Sequence, residues 1–459
     1  MTITIRELAE VVGAKNDWQN WGNLTIDSVE FDTRKVTEGS LFVPLQGGAR
    51  DGHEFINVAA DNGAVLSLWA ANQGIEKQVI PTLVVEDTLV AMQEIAKFYL
   101  RKIGPKVIGI TGSNGKTTTK DMVDGVLSQA FKTYKTQGNF NNQIGLPYTI
   151  LSMPADTEML VLEMGMNGFN EIEELSLIGE PDVAAITMIG ESHLEFLGTR
   201  KGIAQAKMEI TAGLKKEGLL VVPSDEPLLE SFLEETSQEI KTFGFDEASD
   251  VKGQITEETR TSTSFTVNLT GDQVLTIPVL GSYNVKNALI AATIGNYFGI
   301  SSDKIAKGLM MMNLTQSRTE WLTAANGAEI LSDVYNANPT AMSLVLQAFE
   351  ELPCEGEKLV VLADMGELGD TAKELHESIA EFIPQDKIAH VYLYGTQMEA
   401  LADKLKEEFP ERRLHHYALD EKEKLAKAVK KQLKSEDMVV LKGSNSMKLI
   451  EIVEKLVEN

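Results

Sequence analysis

The run GITGSNGKTTT at residues 109–119 holds side chains and glycines spaced to grip a phosphate. Gly112 and Gly115 let the backbone turn so that several N–H groups and the start of a following helix face one anion. Lys116 adds a mobile cation and Thr117 a hydroxyl for Mg²⁺, with Ser113, Asn114 and Thr118 completing the lining. The usual phosphate loop has a glycine six positions before its lysine, where this chain has Ile110, so the loop is a shortened form. Alone, such a turn is equally well read as the cap of an ordinary helix. The apolar strand before it, the amphipathic helix after it and the Lys-Thr pair at the junction point to a nucleoside triphosphate.

Three further residues could do chemistry. Glu163 closes the apolar run LVLEM, at the carboxyl end of a strand, where parallel sheets bind ligands. His193 follows the similar run VAAITMIG. Lys207 has Ile203, Ala204, Ile210 and Thr211 one turn away on either side, so its helix face offers no acidic partner, and Glu209 points elsewhere. Solvated charge, strand-end carboxylate and structural histidine are the ordinary fates of such residues taken singly.

The elements that must hold these groups are legible as alternation. From residue 105, β-rich runs (KVIGIT, LVLEMG, VAAITMIG, GLLVVPSD) alternate with helical text, which implies a mostly parallel sheet covered on both faces. Met122, Val123, Val126, Leu127, Ala130 and Phe131 recur at helical spacing after the loop. Residues 251–278 alternate polar and apolar, as an antiparallel patch at an edge or in an insertion, and helical text resumes over 284–298. A second series (EILSDVY, KLVVLADM, HVYLYG, MVVLKG) forms another α/β unit with a helix over 372–382. The first hundred residues read as short strands, many turns and one or two helices. The expected fold class is therefore α/β in three domains. These are a small α/β domain over 1–100, a central P-loop-type, mostly parallel ATPase domain over 101–313 and a Rossmann-like α/β domain over 314–459.

Composition excludes several functions. The net charge of -26 argues against a broad nucleic-acid footprint, so an anionic ligand needs a local site. The lysine-rich stretch 421–434 alternates with apolar positions and reads as a solvated amphipathic face. One cysteine, Cys354, allows neither an internal disulfide nor a multi-cysteine zinc site. No apolar run is long enough to span a bilayer, and MTITIRELAEVVGAK lacks the pattern of a signal peptide. A cytoplasmic chain, monomeric and without stable membrane insertion, is expected.

The loop and its companions resemble the Mur ligases, ATP-dependent amide-bond-forming enzymes of peptidoglycan synthesis whose shortened loop reads TG(T/S)NGKT. The match continues in order through LEMG (162–165), HL (193–194), AKME (206–209), YNVKNA (283–288), RTE (318–320) and DVYNANP (333–339), covering essentially the whole chain. Within the family, GNFNNQIGLP (138–147), DVYNANP, VLADMGELG (361–369) and LKGSNSM (441–447) look most like the member that adds D-alanyl-D-alanine to UDP-N-acetylmuramoyl-tripeptide. Thr33 and Ser192 replace the commoner Ser and Ala, both small changes.

The resemblance implies ATP with Mg²⁺ at two sites, Thr117, Glu163, His193 and Lys207 supplying ligands. It also implies that Lys207 is carbamylated by CO₂, which requires a neutral amine and hence a depressed pKa. Lys116, Lys207, Glu163 and His193 are the implied catalytic group. Asn287 would read the adenine edge, Arg318 the phosphates and Asp333 the ribose; helix packing and a local Arg318–Glu320 pair are the plainer alternatives. Asp32, Thr33 and Arg34, with 41–55, would hold the UDP-sugar. His53 reads equally as a satisfied turn residue. Thr136, Asn139 and Asn142 are candidate sugar or peptide contacts, or simply loop polarity. Tyr335 and Asn336 would meet the incoming dipeptide. A sister ligase, folylpolyglutamate synthetase and a regulatory P-loop ATPase are the competing readings.

Overall fold

A computed structural model describes residues 2–48, 50–74, 78–313, 315 and 319–458. The fold is mixed α/β, built on one small antiparallel ribbon and three larger sheets. In the first body, Ser28–Glu30, Ser40–Phe42, Ala64–Ala70 and Thr82–Val85 pair in sequence order, all parallel. Helices Ile5–Val12, Ile56–Asp61 and Thr88–Ile103 accompany them, one more than the turn-rich text suggests. The long third helix starts where Asp87 accepts the Leu89 and Val90 N–H groups, and stops at left-handed Gly104.

The second sheet carries the phosphate loop. Its central strand β1 (Lys106–Thr111) leads through the loop into α1 (Lys116–Leu127). One flank is formed by β2 (Met159–Glu163) and the strand Thr133–Lys135. On the other side β1 pairs with β3 (Val183–Ile186), followed by Leu219–Pro223 and Glu239–Gly244, all parallel. Successive strands thus run to one side of β1 and then to the other, so the loop opens at a topological switch point, the usual ligand crevice of such sheets. The patch at 251–278 proves to be an edge extension: Val251–Glu258 joins Glu239–Gly244 in parallel, and Thr263–Val267 and Val274–Ile277 continue the sheet from it with antiparallel pairing. α1 ends at Leu127, short of the expected Ala130 and Phe131, although Phe131 still packs on the core. Helices α2 (Arg200–Met208) and α3 (Ser282–Tyr297) complete the elements around the loop.

The third body is a six-stranded sheet. β4 (Glu329–Asp333) pairs in parallel with β5 (Met438–Lys442), and β5 with Lys358–Ala363, followed by His390–Tyr394 and Leu414–Tyr417. Glu320–Thr323 adds an antiparallel edge. Helix α4 (Pro339–Glu351) follows β4 directly, with Asn338 as its N-cap. The lysine-rich helix is Lys422–Gln432, burying Leu425, Ala426 and Val429 and leaving its lysines outside.

The cores divide unevenly. Leu8, Ile95, Tyr99, Leu146, Ile150, Leu162 and Ile203 belong to one continuous apolar cluster that spans the first two bodies. The third body builds two clusters on either face of its sheet, one of which also takes in Leu280 and Tyr283 from the second body.

Candidate active site

The phosphate loop is held open by its glycines. Gly112 has φ 145°, and a Cβ there would fall 1.8 Å from Thr187 Oγ1; at Gly115, φ 81°, it would fall 2.6 Å from Asn287 Oδ1. Only glycine fits between the loop and its two neighbours. α1 has no side-chain N-cap, so its first N–H groups are left to face the crevice. Ser113 turns inward instead, donating N–H to Met188 O (2.9 Å) and accepting from Gly190 N–H at Oγ (2.9 Å), which ties the loop to the end of β3. Lys116 Nζ donates to Gly112 O at 2.7 Å.

Glu163 sits at the end of β2, 2% exposed, in a fully assigned cradle. Thr117 Oγ1 donates to its Oε2 (2.9 Å) and Asn141 Nδ2 to its Oε1 (2.8 Å), while its N–H donates to Thr136 Oγ1 (3.0 Å). Thr136 is fully buried and braces Glu163 from behind through this bond. Asn142 caps the helix Gly145–Ser152 by accepting from the Ile144 and Gly145 N–H groups, and Asn139 lies exposed on the same loop. Their neighbour Asn141, to which sequence reasoning gives no role, is the asparagine that reaches the carboxylate.

Lys207 lies in the last turn of α2 with no exposed surface, and its Nζ has no hydrogen-bond partner among the described residues. Burial, reinforced by the nearby Lys116 ammonium, pushes its pKa well below the ordinary lysine value. Glu209 does turn away, accepting the Asn170 N–H at 2.8 Å, though its charge and that of Glu171 partly offset the shift. A buried amine without a hydrogen-bond partner is costly to keep.

His193 adopts a left-handed backbone, φ 64°, just after the β3 region. Its Nδ1 stands 2.5 Å from Oε2 of Glu367, another left-handed residue, in the third body. The His193 ring holds the Glu367 carboxyl below the usual glutamate range. Among the described residues no three His, Cys, Asp or Glu side chains converge on a point where they could cage a metal. The donors near the loop are instead a hydroxyl and a carboxylate, the oxygen set that Mg²⁺ accepts together with water and phosphate.

Between the second and third bodies lies a cavity of about 410 Å³ lined by Asn114, Gly115, Thr118, Asn287, Asp333, Tyr335, Asn336 and Lys442 among others. Asn287 is 6% exposed and donates Nδ2 to Asn284 Oδ1 (3.2 Å). Asp333 is paired through Oδ2 with Lys442 Nζ, its register partner on β5, and the same amine donates to Asn336 O at 3.1 Å. The motif around Lys442 stands out in the sequence, yet nothing local to it gives the lysine a role. Tyr335 and Asn336 line this cavity beside the adenine and ribose candidates, so the two groups of residues share one space. Arg318 lies outside the described residues.

Asn338 is a second residue that sequence reasoning misses. It is 2% exposed and exchanges two hydrogen bonds with Asn114 across the bodies (2.9 and 3.1 Å), donating also to Ser192 Oγ (2.6 Å). Thr340 adds two bonds to Glu191 Oε2, at 3.2 Å from its N–H and 2.6 Å from its hydroxyl.

On the first body, Asp32 caps a short turn and is clasped by Arg34, whose Nε and Nη2 lie 2.9 and 2.7 Å from its two oxygens. Thr33 O accepts from Asn62. None of these three lines the cavity between the second and third bodies. His53 takes the turn role: Nδ1 lies 2.6 Å from Asp51 Oδ1 and Nε2 accepts the Ala70 N–H at 3.2 Å.

Family models match the chain over residues 25–101 (Mur ligase family, catalytic domain), 110–295 (Mur ligase middle domain) and 317–445 (Mur ligase, glutamate ligase domain). The chain is 42% identical, over 99% of its length and 98% of the relative's, to the UDP-N-acetylmuramoyl-tripeptide--D-alanyl-D-alanine ligase of Bacillus subtilis (strain 168). Its structure is similar to crystal structure I of MurF from Acinetobacter baumannii, with TM-score 0.89 and 27% identity over 100% of this chain and 99% of that one. It is also similar to the MurF ligase of Thermotoga maritima in complex with ADP, with TM-score 0.81 and 28% identity over 94% and 96%.

Proposed function

This chain belongs to the Mur ligase family, and on that premise we propose that it joins D-alanyl-D-alanine to UDP-N-acetylmuramoyl-tripeptide with ATP, in peptidoglycan precursor synthesis. The observation that carries the reading is the 42% identity over nearly the whole chain to a ligase of that name, with Thr117 of the phosphate loop bonded to Glu163. Amide formation in water is uphill. The tripeptide carboxylate therefore takes the γ-phosphoryl group of ATP, giving an acyl phosphate and ADP. The dipeptide amine then adds to the acyl carbon, and the tetrahedral species loses phosphate as the amide forms.

The loop N–H groups, the start of α1 and Lys116 bind and orient the triphosphate, stabilising charge that develops on the transferred group. Asn287 and Asp333 hold adenine and ribose, Arg318 the phosphates, Tyr335 and Asn336 the dipeptide, and Asp32, Thr33 and Arg34, with Thr136, Asn139 and Asn142, the UDP-sugar-peptide. The donor set fits Mg²⁺: Thr117 and Glu163 would hold one ion, and His193, whose Nδ1 faces Glu367, would offer Nε2 to a second. Such ions neutralise the phosphoryl oxygens and align the two reacting oxygens. Lys207 fits carbamylation for the reason given by its orphaned Nζ: the neutral amine adds to CO₂, a proton leaves to solvent, and the resulting anion gains partners that the amine lacks. Dependence on ATP suits a cytoplasmic reaction, and the enzyme acts as a monomer.

Phosphate release tests the assignment. It is expected to require both the UDP-tripeptide and D-alanyl-D-alanine; equal turnover with neither would overturn the ligase reading. Native mass measurement after gentle trapping should show one CO₂ added at Lys207, and a Lys207→Ala variant that stays fully active without added CO₂ would remove that residue from the chemistry.

A further inference from the structure

One turn past Thr117, α1 carries Lys120 and Asp121, each 1% exposed, and neither has a part in the chemistry above. Four donors surround the Asp121 carboxylate. Lys135 Nζ lies 2.9 Å and Lys120 Nζ 3.4 Å from Oδ1. Thr315 donates both its N–H (2.8 Å) and its hydroxyl (2.9 Å) to Oδ2. Thr315 belongs to the stretch between the helix ending at Met310 and the strand beginning at Glu320, the connection between the second and third bodies.

Lys120 extends the network the other way. Its Nζ donates to Thr136 O at 3.0 Å, and Thr136 is the residue whose hydroxyl accepts the Glu163 N–H. The connection to the third body is thus joined through Asp121, Lys120 and Thr136 to the carboxylate beside Thr117. Buried ion pairs are in general weak contributors to stability, since desolvation offsets their attraction, and their best-attested use is to fix geometry.

We propose that Asp121 is a positioning residue: it fixes the exit of the connecting segment to the phosphate-loop helix, so that the third body brings Asp333, Tyr335 and Asn336 over the crevice in one register. The bond count supports this, since both donors of Thr315 end on one oxygen of a carboxylate that is itself immobilised on α1. The proposal rests on the ligase reading for its kinetic consequence but on geometry for its structural one.

The test compares Thr315→Val, which keeps the shape and loses the hydroxyl, with Thr315→Ser, which keeps the hydroxyl, both in the full chain. Loss of a hydrogen bond to a buried charged group is expected to lower kcat/KM for D-alanyl-D-alanine about tenfold in Thr315→Val. KM for the UDP-tripeptide should stay unchanged and Thr315→Ser should match the parent. Equal kinetics in all three proteins would overturn the proposal. So would equal impairment of both variants, which would make the site merely structural. Small-angle scattering with a non-hydrolysable ATP analogue supplies a readout independent of ligation. There Thr315→Val is expected to show a larger radius of gyration than the parent, and identical profiles would refute the anchoring even if the substrate assignment failed. Asp121→Asn removes the charge beside buried Lys120, while Lys135 keeps Asp124 at 3.0 Å; it should lower kcat/KM for the dipeptide at least as far as Thr315→Val, and a parent-like value would overturn the proposal.

Discussion

The first and second bodies meet through side chains such as Leu8, Ile95, Leu146 and Ile150 in a single apolar core, whereas the second and third meet largely through amides, hydroxyls and carboxylates, with Leu280 and Tyr283 as the apolar additions. An apolar joint of that kind loses surface to water if it opens, so it holds one geometry. A polar joint can exchange its hydrogen bonds with water at little net cost, so domain motion is the expectation there. The crevice and its cavity lie at the polar joint, and the proposed UDP-substrate residues lie on the first body. Under the proposed function, the apolar joint would hold fixed the part carrying the group to be activated, and the polar joint would let the other part complete the site around it.

Four variants probe this contrast, the largest effect first. Lys116→Ala should cut ligation by a thousandfold or more, roughly 4 kcal/mol of barrier, while UDP-tripeptide binding measured by calorimetry stays near that of the parent. Loss of both would show that the crevice and the first body are not separable. Leu146→Ala, inside the shared core, should destabilise the chain by about 2–5 kcal/mol in urea unfolding. KM for the dipeptide should hardly change in the surviving folded enzyme, and a variant that is stable but weak for dipeptide would reverse the roles of the two joints.

Asn338→Asp keeps the N-cap acceptor that holds the Ala341 N–H at 2.8 Å but loses the donors to Asn114 and Ser192. It should lower kcat/KM for the dipeptide by about tenfold or more with little change in the urea midpoint. A shift of the midpoint without a kinetic change would mean the contact merely braces the fold.

The smallest effect tests an ionisable contact at the apolar joint. Tyr148 donates to Glu30 Oε2 at 3.0 Å, and burial raises the Glu30 pKa above 4.5. Between 4.5 and that raised value the folded state holds more protons than the unfolded one, so stability falls as pH rises through the window. Glu30→Gln should therefore unfold slightly later than the parent at pH 7, with the gap closing below the ordinary glutamate pKa. A gap that persists at low pH would assign the effect to packing.

What can be read from the sequence follows locality. The shortened loop, Glu163 at a strand end and Lys207 amid apolar neighbours are recognisable because each signal lies within a turn or two of the residue. The alternating strands of the second and third bodies are legible for the same reason. Asn141, Asn338 and Lys442 are not, because what distinguishes them from ordinary polar residues is a partner 22, 224 and 109 positions away. The bond from the Glu163 N–H to Thr136 is hidden for the same reason, its partner lying 27 positions away. The long helix Thr88–Ile103 stands out less than its length deserves because it belongs less to its own sheet than to the shared core, and single-domain patterning does not reveal that.

The shared core also bears on how the chain is made. Ile3, Leu8 and Ile95 are buried against a cluster that includes Leu146, Ile172, Ile203 and Leu229, so the first hundred residues leave the ribosome without the partners that complete their interior. At about 5–20 residues per second, that wait lasts on the order of 5–25 s. During it, the parallel edge of the first sheet is sheltered only by what the nascent chain or a chaperone can supply, whereas the third body's two clusters draw only on residues already made, Leu280 and Tyr283 among them, once its last helix with Ile452 and Leu456 emerges.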